Sequence, residues 1–290
     1  MSLSIVIVSY NVKKLLKDCL ESIFNFQFSI FNYEVIVVDN ASSDGSAGFI
    51  KSLIINGLTN LKLIENKENL GFAKANNLGA KNSKGEFILF LNPDTKVCPG
   101  SLEKIVEFLE THPDVGVVGP QFLNADGSFQ PSIGVYPSIL SLVLDKPIDF
   151  LERRLSLVRP FLGSFSVKYK KFFKPSPVDW VSGAALICRR QVWEELNGFD
   201  EKFFMYFEDV DFCFRAKKAG WKVYHLPESK IFHLRGKSQP AKSRKKAKIY
   251  YQSQDYYFQK NKSQLYLWLV KFVRWPYQIL DLRTKVGRYY

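Results

Sequence analysis

The sequence predicts an α/β protein: a mixed, mainly parallel sheet with helices on both faces, followed by a helical, basic C-terminal extension. Three observations carry this. Short unbroken apolar runs alternate with stretches of helical period through the first 120 residues. Polar clusters follow the ends of those runs. Positive charge is gathered behind the main body: residues 236–290 hold 13 Lys/Arg against 2 Asp/Glu, whereas residues 1–235 hold 28 against 26. Strands that are unbroken hydrophobic runs have no water-facing side, which means a sheet covered on both faces.

Taken in order, Leu3–Ser9 is a run of strand length ending in Ser9-Tyr10-Asn11. It has no basic stretch ahead of it and no cleavage-like site, so it reads as a buried strand and not an export signal. Val12, Leu15, Leu16, Cys19, Leu20 and Ile23 then fall at helical spacing. Glu34–Val38 is a second strand and opens into the polar run Asp39 to Ser46. Asn60–Glu65 is a third and leads into Asn69-Leu70-Gly71-Phe72-Ala73-Lys74-Ala75-Asn76-Asn77. Glu86–Leu91 is a fourth and stops at Asn92-Pro93-Asp94. A helix from about Gly100 to Thr111 precedes a fifth strand, Val115–Gly119. The stretch Phe129–Pro177 is rich in Pro, Lys and aromatic residues, with Leu140–Leu144 and Phe161-Leu162 apolar but without period. Loops on a fixed scaffold are where recognition is expected.

Composition narrows the class. A chain of 290 residues buries one large core plus a small appendage, and 46% hydrophobic residues exclude a disordered protein. Four cysteines without a CxxC pair fit a reducing compartment, so a cytoplasmic protein is expected. Neither GxGxxG nor GxxxxGK[ST] occurs, which excludes the usual dinucleotide and P-loop sites. The net charge of +13 points at first to nucleic acid, but the nearly neutral body argues against that as the main role, and no nucleic acid partner is expected.

Three polar clusters at strand ends, Tyr10-Asn11, Asp39 and Asp94, mark the edge where open α/β sheets bind ligands. A fourth feature is the acidic stretch 198–215, GFDEKFFMYFEDVDFCFR. Carboxylates set among aromatic rings are costly to ionise, so their proton affinity can be tuned for acid/base work. The same residues also suit a helix start, with Glu208, Asp209 and Asp211 facing the positive dipole end.

These pieces together resemble an inverting nucleotide-sugar glycosyltransferase of family 2, with the GT-A fold. The matching segments are SIVIVSYN (4–11), VIVVDNASSDGS (35–46), NLGFAKANN (69–77), FLNPD (90–94), WVSGAALICRR (180–190), GFDEKFFMYFEDVDFCFR (198–215) and HLRGKS (233–238). The NPD and FFMYFEDVD forms are most similar to the rhamnosyltransferase-like bacterial branch that builds surface polysaccharides. The resemblance implies a glycosyltransferase domain over residues 1–238, with a nucleotide-binding half (1–120) and an acceptor and catalytic half (121–238), and a basic, aromatic helical tail over 239–290.

The resemblance also implies roles. Asp39 matches the carboxylate that accepts the imide N–H of uracil or thymine, beside Asn40. Ser9, Tyr10 and Asn11 match the loop under the nucleotide. The segment containing Gly71, Lys74 and Asn76 matches the wall beside ribose and diphosphate. Asp94 matches the last acid of the DxD motif that holds Mg²⁺ or Mn²⁺ on the diphosphate, and His233 matches a histidine that joins it. Here the sequence departs from the pattern: Asn92-Pro93 replaces the first acid and its neighbour, so one negative charge is missing. Asp209 matches the general base, and Glu208 and Asp211 are expected to orient the acceptor or cap the following helix, Val210 through Lys218. Trp180 and Gly183 are expected to line the sugar pocket.

The implied partners are a UDP- or dTDP-sugar donor and a saccharide or lipid-linked acceptor. In the tail, Lys237–Lys248 is expected to be a mobile loop. The segments beyond it, with Lys262, Lys271, Arg274 and Arg283 among apolar rings, suit a helix lying on an anionic membrane surface at the inner face of the cell membrane. The alternative for the tail is packing on the domain or on a second subunit. Two other classes remain: a nucleotide-sugar-binding protein without strong catalysis, because Asn92 weakens the metal motif, and a nucleic-acid binder acting through the tail.

Overall fold

The computed structural model describes residues 2–25, 32–141, 173–234 and 244–284. The first half is β1 (Ser2–Ser9), α1 (Lys13–Phe24), β2 (Asn32–Asp39), α2 (Ser46–Ile55), β3 (Leu61–Glu65), α3 (Phe72–Lys81) and β4 (Phe87–Leu91). Its strands pair in parallel in the order β3-β2-β1-β4. Then come β5 (Thr95–Val97), α4 (Ser101–Thr111), β6 (Val115–Leu123), β7 (Phe129–Gln130), β8 (Ile133–Gly134), β9 (Ser176–Pro177), β10 (Trp180–Val181) and β11 (Ala185–Arg189). The chain continues with α5 (Arg190–Glu195), α6 (Glu208–Lys218), β12 (Lys222–His233), α7 (Arg244–Asn261) and α8 (Gln264–Thr284).

One ten-stranded sheet runs β3-β2-β1-β4-β11-β6-β12-β5, with β7 on β6 and β9 on β12. It is mixed because β11 lies antiparallel to both β4 and β6, while β12 is parallel to β6 and antiparallel to β5. β8 and β10 form a separate two-stranded ribbon.

Side-chain alternation on the buried strands builds two cores. Leu3, Ile5, Ile7, Val35 and Val37 join α1 and α4 on one face; Val6, Ile36 and Val38 join α3 and α6 on the other. The predicted stripe on α1 is the buried face: Leu16, Cys19, Leu20 and Ile23. The four cysteines are free thiols.

The tail differs most from expectation. A third core joins Phe203, Phe207 and Val210 to Tyr257, Phe258, Leu267 and Val270, so α7 and α8 pack on the body. Residues 244–248, expected in a mobile loop, are the first turns of α7, and 235–243 lie outside the described residues. Arg274, expected among lipid headgroups, is buried: it donates to Gln254 Oε1 at 2.9 Å and pairs with Asp255. The side chain of Arg283 lies outside the described residues, as do residues 142–172, so of the apolar stretches Leu140–Leu144 and Phe161-Leu162 only Leu140 and Ser141 are described. Among the described residues no helix is long and apolar enough to cross a membrane.

Candidate active site

Parallel register puts the strand ends side by side. Ser9 lies opposite Asp39 across β1 and β2, and Ile7 opposite Leu91 across β1 and β4, so the residues just after each strand share one edge. At that edge Ser9, Asp39 and Asn40 are buried, and Tyr10 is 39% exposed. Asp39 accepts the Ser42 N–H on Oδ2 at 2.9 Å, while its Oδ1 is buried without a hydrogen-bond partner, as is Ser9 Oγ. A buried acceptor oxygen left open asks for a donor from elsewhere.

The loops around this edge are bound to one another. Asn11, at φ +54°, accepts the Ser43 N–H at 2.7 Å and gives its own N–H to Ser42 Oγ at 2.9 Å. Asn40 donates to Gly71 O at 3.2 Å and accepts from Asn66 at 2.8 Å, tying the end of β2 to the turn before α3. Gly71 has φ +82°, and a Cβ there would collide with the Phe204 carbonyl. Asn76 is buried and donates to Phe72 O at 3.0 Å; Lys74 is exposed. Neighbouring Asn77 grips the Phe199 backbone, accepting its N–H at 2.9 Å and donating to its carbonyl at 2.8 Å.

Asp94 and His233 meet at the far side of this edge, because Thr95 pairs with His233 across β5 and β12. Asp94 is 2% exposed, and His233 Nε2 stands 3.6 Å from its Oδ1. The opposite ring nitrogen, Nδ1, faces Gln130 Oε1 at 2.8 Å. The Gln130 amide is oriented by giving its N–H to Asn124 Oδ1 and to the His233 carbonyl, so its Oε1 accepts from Nδ1–H and the imidazole is held with Nε2 toward the carboxylate. A buried carboxylate beside an imidazole nitrogen is a donor pair of the kind that ligates a divalent cation. Asn92 and Pro93 serve the backbone here: the Asn92 N–H goes to Ala184 O at 2.9 Å and its carbonyl accepts from Thr95 Oγ1 at 2.7 Å, while Pro93 is buried. Among the described residues there is no group of three His, Cys, Asp or Glu side chains that could hold a metal ion.

The acidic stretch folds as a tight loop into α6. Tyr206 and Phe207 carry φ of +73° and +69°, a conformation that costs a bulky residue about 1–3 kcal/mol. This pair aims Glu208 and Asp209 into the interior at the start of α6. Asp209 accepts the Gly183 N–H on Oδ2 and the Val210 N–H on Oδ1, each at 2.8 Å. Burial nonetheless raises its pKa above the usual carboxylate range, against those two bonds. Glu208 is raised further, by burial and by the charge of Asp209, and its Oε2 is buried without a partner. A Cβ on Gly183 would stand 3.3 Å from the Asp209 side chain, so the two segments pack closely here.

The family model described as "Glycosyl transferase family 2" matches residues 4–157, and that of "Glycosyl transferase family group 2" matches residues 160–285. The chain belongs to glycosyltransferase family 2. The N-acetylglucosaminyl-diphospho-decaprenol L-rhamnosyltransferase of Mycobacterium tuberculosis is 30% identical to it over 220 residues, covering 70% of this chain and 67% of that protein. The rhamnosyltransferase WbbL of Escherichia coli is 26% identical over 246 residues, covering 79% and 82%. Among solved structures, the mannosyltransferase PcManGT from Pyrobaculum calidifontis, in complex with GDP-Man and Mn²⁺, shares the fold with a TM-score of 0.60 at 18% identity, over 99% of this chain and 76% of that one. The fold is GT-A, and the chain is a rhamnosyltransferase-like enzyme of its family.

In this family 2 glycosyltransferase α7 does work that sequence reading missed. Its Ser253 donates to the Met205 carbonyl at 2.8 Å, and Tyr250 and Tyr257 pack on Phe207 with ring centroids 5.3 and 5.6 Å away. Tyr256 and Lys260 both donate to Asp200 Oδ2, at 2.9 and 2.7 Å. Lys260 also pairs with Asp211 at 2.8 Å, and Arg215 binds Asp211 at 2.7 Å from the other side. Asp211, in the first turn of α6, is completely buried in an ion-pair network that ties α6 to α7. Lys246 is half-buried near the start of α7; burial lowers its pKa, and the charge of Asp94 acts on it in the opposite sense. Trp180 is partly buried, its indole N–H given to Val135 O at 2.9 Å and its ring laid on Gly134. Tyr250 and Tyr251 recur seven residues later as Tyr257 and Phe258, two helical turns on, which was the available signal for a packed helix.

Proposed function

We propose that this glycosyltransferase moves rhamnose or a similar hexose from a UDP- or dTDP-activated donor to a saccharide on a lipid carrier, with inversion at the anomeric carbon. Asp209 is the observation that carries the reading: a buried carboxylate of raised proton affinity, held by two backbone N–H groups at the start of α6. Its carboxylate takes the proton of the acceptor hydroxyl as that oxygen bonds the anomeric carbon, and the sugar's bond to the diphosphate breaks on the opposite side. Glu208, the more strongly protonated neighbour, hydrogen-bonds the acceptor.

On the donor side, the open Oδ1 of Asp39 accepts the imide N–H of the base. Ser9, Tyr10, Asn11 and Asn40 form the floor, and Gly71, Lys74, Asn76, Asn92 and Pro93 the wall toward the diphosphate. Trp180 and Gly183 border the sugar. Asp94 and His233 would hold Mg²⁺ or Mn²⁺, which when bound neutralises charge on the leaving diphosphate. Lys246 adds a second positive charge in that corner. The lipid carrier is inferred from the printed name of the mycobacterial relative, whose acceptor is diphospho-decaprenol-linked. A lipid-borne acceptor puts the enzyme, as a peripheral protein, at the inner face of the cell membrane.

The test is thermal stabilisation by UDP, dTDP, GDP and ADP at millimolar concentration, with and without Mn²⁺. UDP or dTDP should stabilise selectively and more strongly with metal, and Asp39→Ala should weaken that binding by about 10- to 100-fold, the worth of a charge-assisted hydrogen bond. No shift with any nucleotide in a folded sample would sink the donor assignment.

A further inference from the structure

We propose that the outer face of α8 is a docking surface for an anionic lipid leaflet. Leu265, Trp268, Leu269, Phe272 and Trp275 are 71%, 68%, 46%, 80% and 65% exposed. At about 100° per residue the five fall within an arc of about 120°, one continuous stripe along the helix. Single exposed apolar residues are ordinary, but a stripe with two tryptophans and a phenylalanine is not.

The stripe is exposed because the helix is held by its other side. Leu267 and Val270 enter the third core, and Arg274 is buried under α7, its guanidinium 5.2 Å over the Tyr251 ring and bonded to Gln254. The outer face is therefore presented on a fixed support.

Charge selects the occupant. Exposed lysines flank the stripe: Lys271 beside it on α8, 3.6 Å from Asp255, and Lys262 in the turn just before α8, its ammonium 5.8 Å over the Tyr266 ring. Long amphipathic stems let lysines reach phosphates while the rings sink between acyl chains, and tryptophan favours that boundary. Residues 236–290 carry a net charge of +11. A second copy docked face to face would bring two such segments together, whereas an anionic leaflet attracts them. The purpose of this docking, bringing the site to a lipid-borne acceptor, rests on the function proposed above; the docking itself does not.

The full chain is to be sedimented with vesicles of phosphatidylglycerol and phosphatidylethanolamine, and with vesicles of phosphatidylcholine alone, while tryptophan emission is followed. Binding is expected to anionic vesicles, weakened by salt and accompanied by a blue shift. The double variant Trp268→Glu with Phe272→Glu, both at exposed positions, should partition about tenfold or more weakly at unchanged thermal stability. Equal binding by variant and parent, or no binding to anionic vesicles, overturns the proposal. So does a dimer, seen by light scattering without lipid, that the variant abolishes. Nucleotide-induced stabilisation should be the same in both proteins. Its absence, with vesicle binding intact, would count against the donor reading and leave the docking surface standing.

Discussion

The strand-end loops and the acidic loop are built by different means. The first, at Ser9–Asn11, Asp39–Ser46 and Asn92–Asp94, take their positions from parallel register, and the first two are tied to each other by short side-chain-to-backbone bonds. The second, residues 198–211, holds two consecutive residues at positive φ and several buried carboxylates, and it is clamped from outside by a helix whose contacting residues lie 48 to 60 positions further on. A ligand platform can rest on ordinary strand geometry. A pair of buried acids needs a scaffold that resists both backbone strain and charge, because neither relaxes in place.

The sharpest separation of the two regions is Asp209→Asn. Transfer should fall by about 10²- to 10⁴-fold, the usual worth of a positioned base, while UDP or dTDP affinity stays within a few-fold. Circular dichroism establishes that the variant is folded; a variant that retained turnover would remove Asp209 as the base.

Lys260→Met tests whether α7 serves the acidic loop. It strips one cation from the fully buried Asp211 and leaves Arg215 as its partner. A loss of about 1–3 kcal/mol is expected, seen as a melting temperature lower by about 3–9 °C, with kcat reduced and nucleotide affinity unchanged. The double variant Lys260→Met with Asp211→Asn should recover part of that stability in a double-mutant cycle. An unchanged kcat and melting temperature would make α7 a passenger and end the comparison.

The smallest effect concerns Glu208. Its folded-state pKa is raised, by burial and then by Asp209, so the folded chain holds this proton more tightly than the unfolded chain. The resulting stability is complete below the ordinary carboxylate range and is lost as pH rises through the higher folded value. Glu208→Gln removes that titration. Its melting temperature should exceed the parent's by about 2–4 °C at about pH 8 and match it at about pH 5. Equal pH profiles would mean that Glu208 is not held protonated.

The first half, residues 1–120, was nearly all legible in the sequence. The apolar runs became β1, β2, β3, β4 and β6, displaced by a residue or two, except that β6 runs on to Leu123 beyond the expected Gly119. Helix α1 buries its predicted stripe. The second half was less legible because its strands are short or cross-paired: β9 and β10 are two residues each, and β12 changes register along β6. A mixed sheet of that kind is decided by which distant segments pair, and no local period announces it.

The sequence by itself determined the strand–helix alternation of the first half, the edge at which Asp39 and Asp94 gather, and the concentration of acids at 200–211. Those features depend on neighbours in the chain and on burial alone, which hydrophobic period reports. Only the tertiary structure decided that Asp211 is an anchor, that Arg274 faces inward, and that the basic tail splits into a clamp and an exposed apolar stripe. Each of those outcomes depends on which side of a helix meets a surface made by residues far away in sequence, and burial of a charge is settled by the partner it finds there.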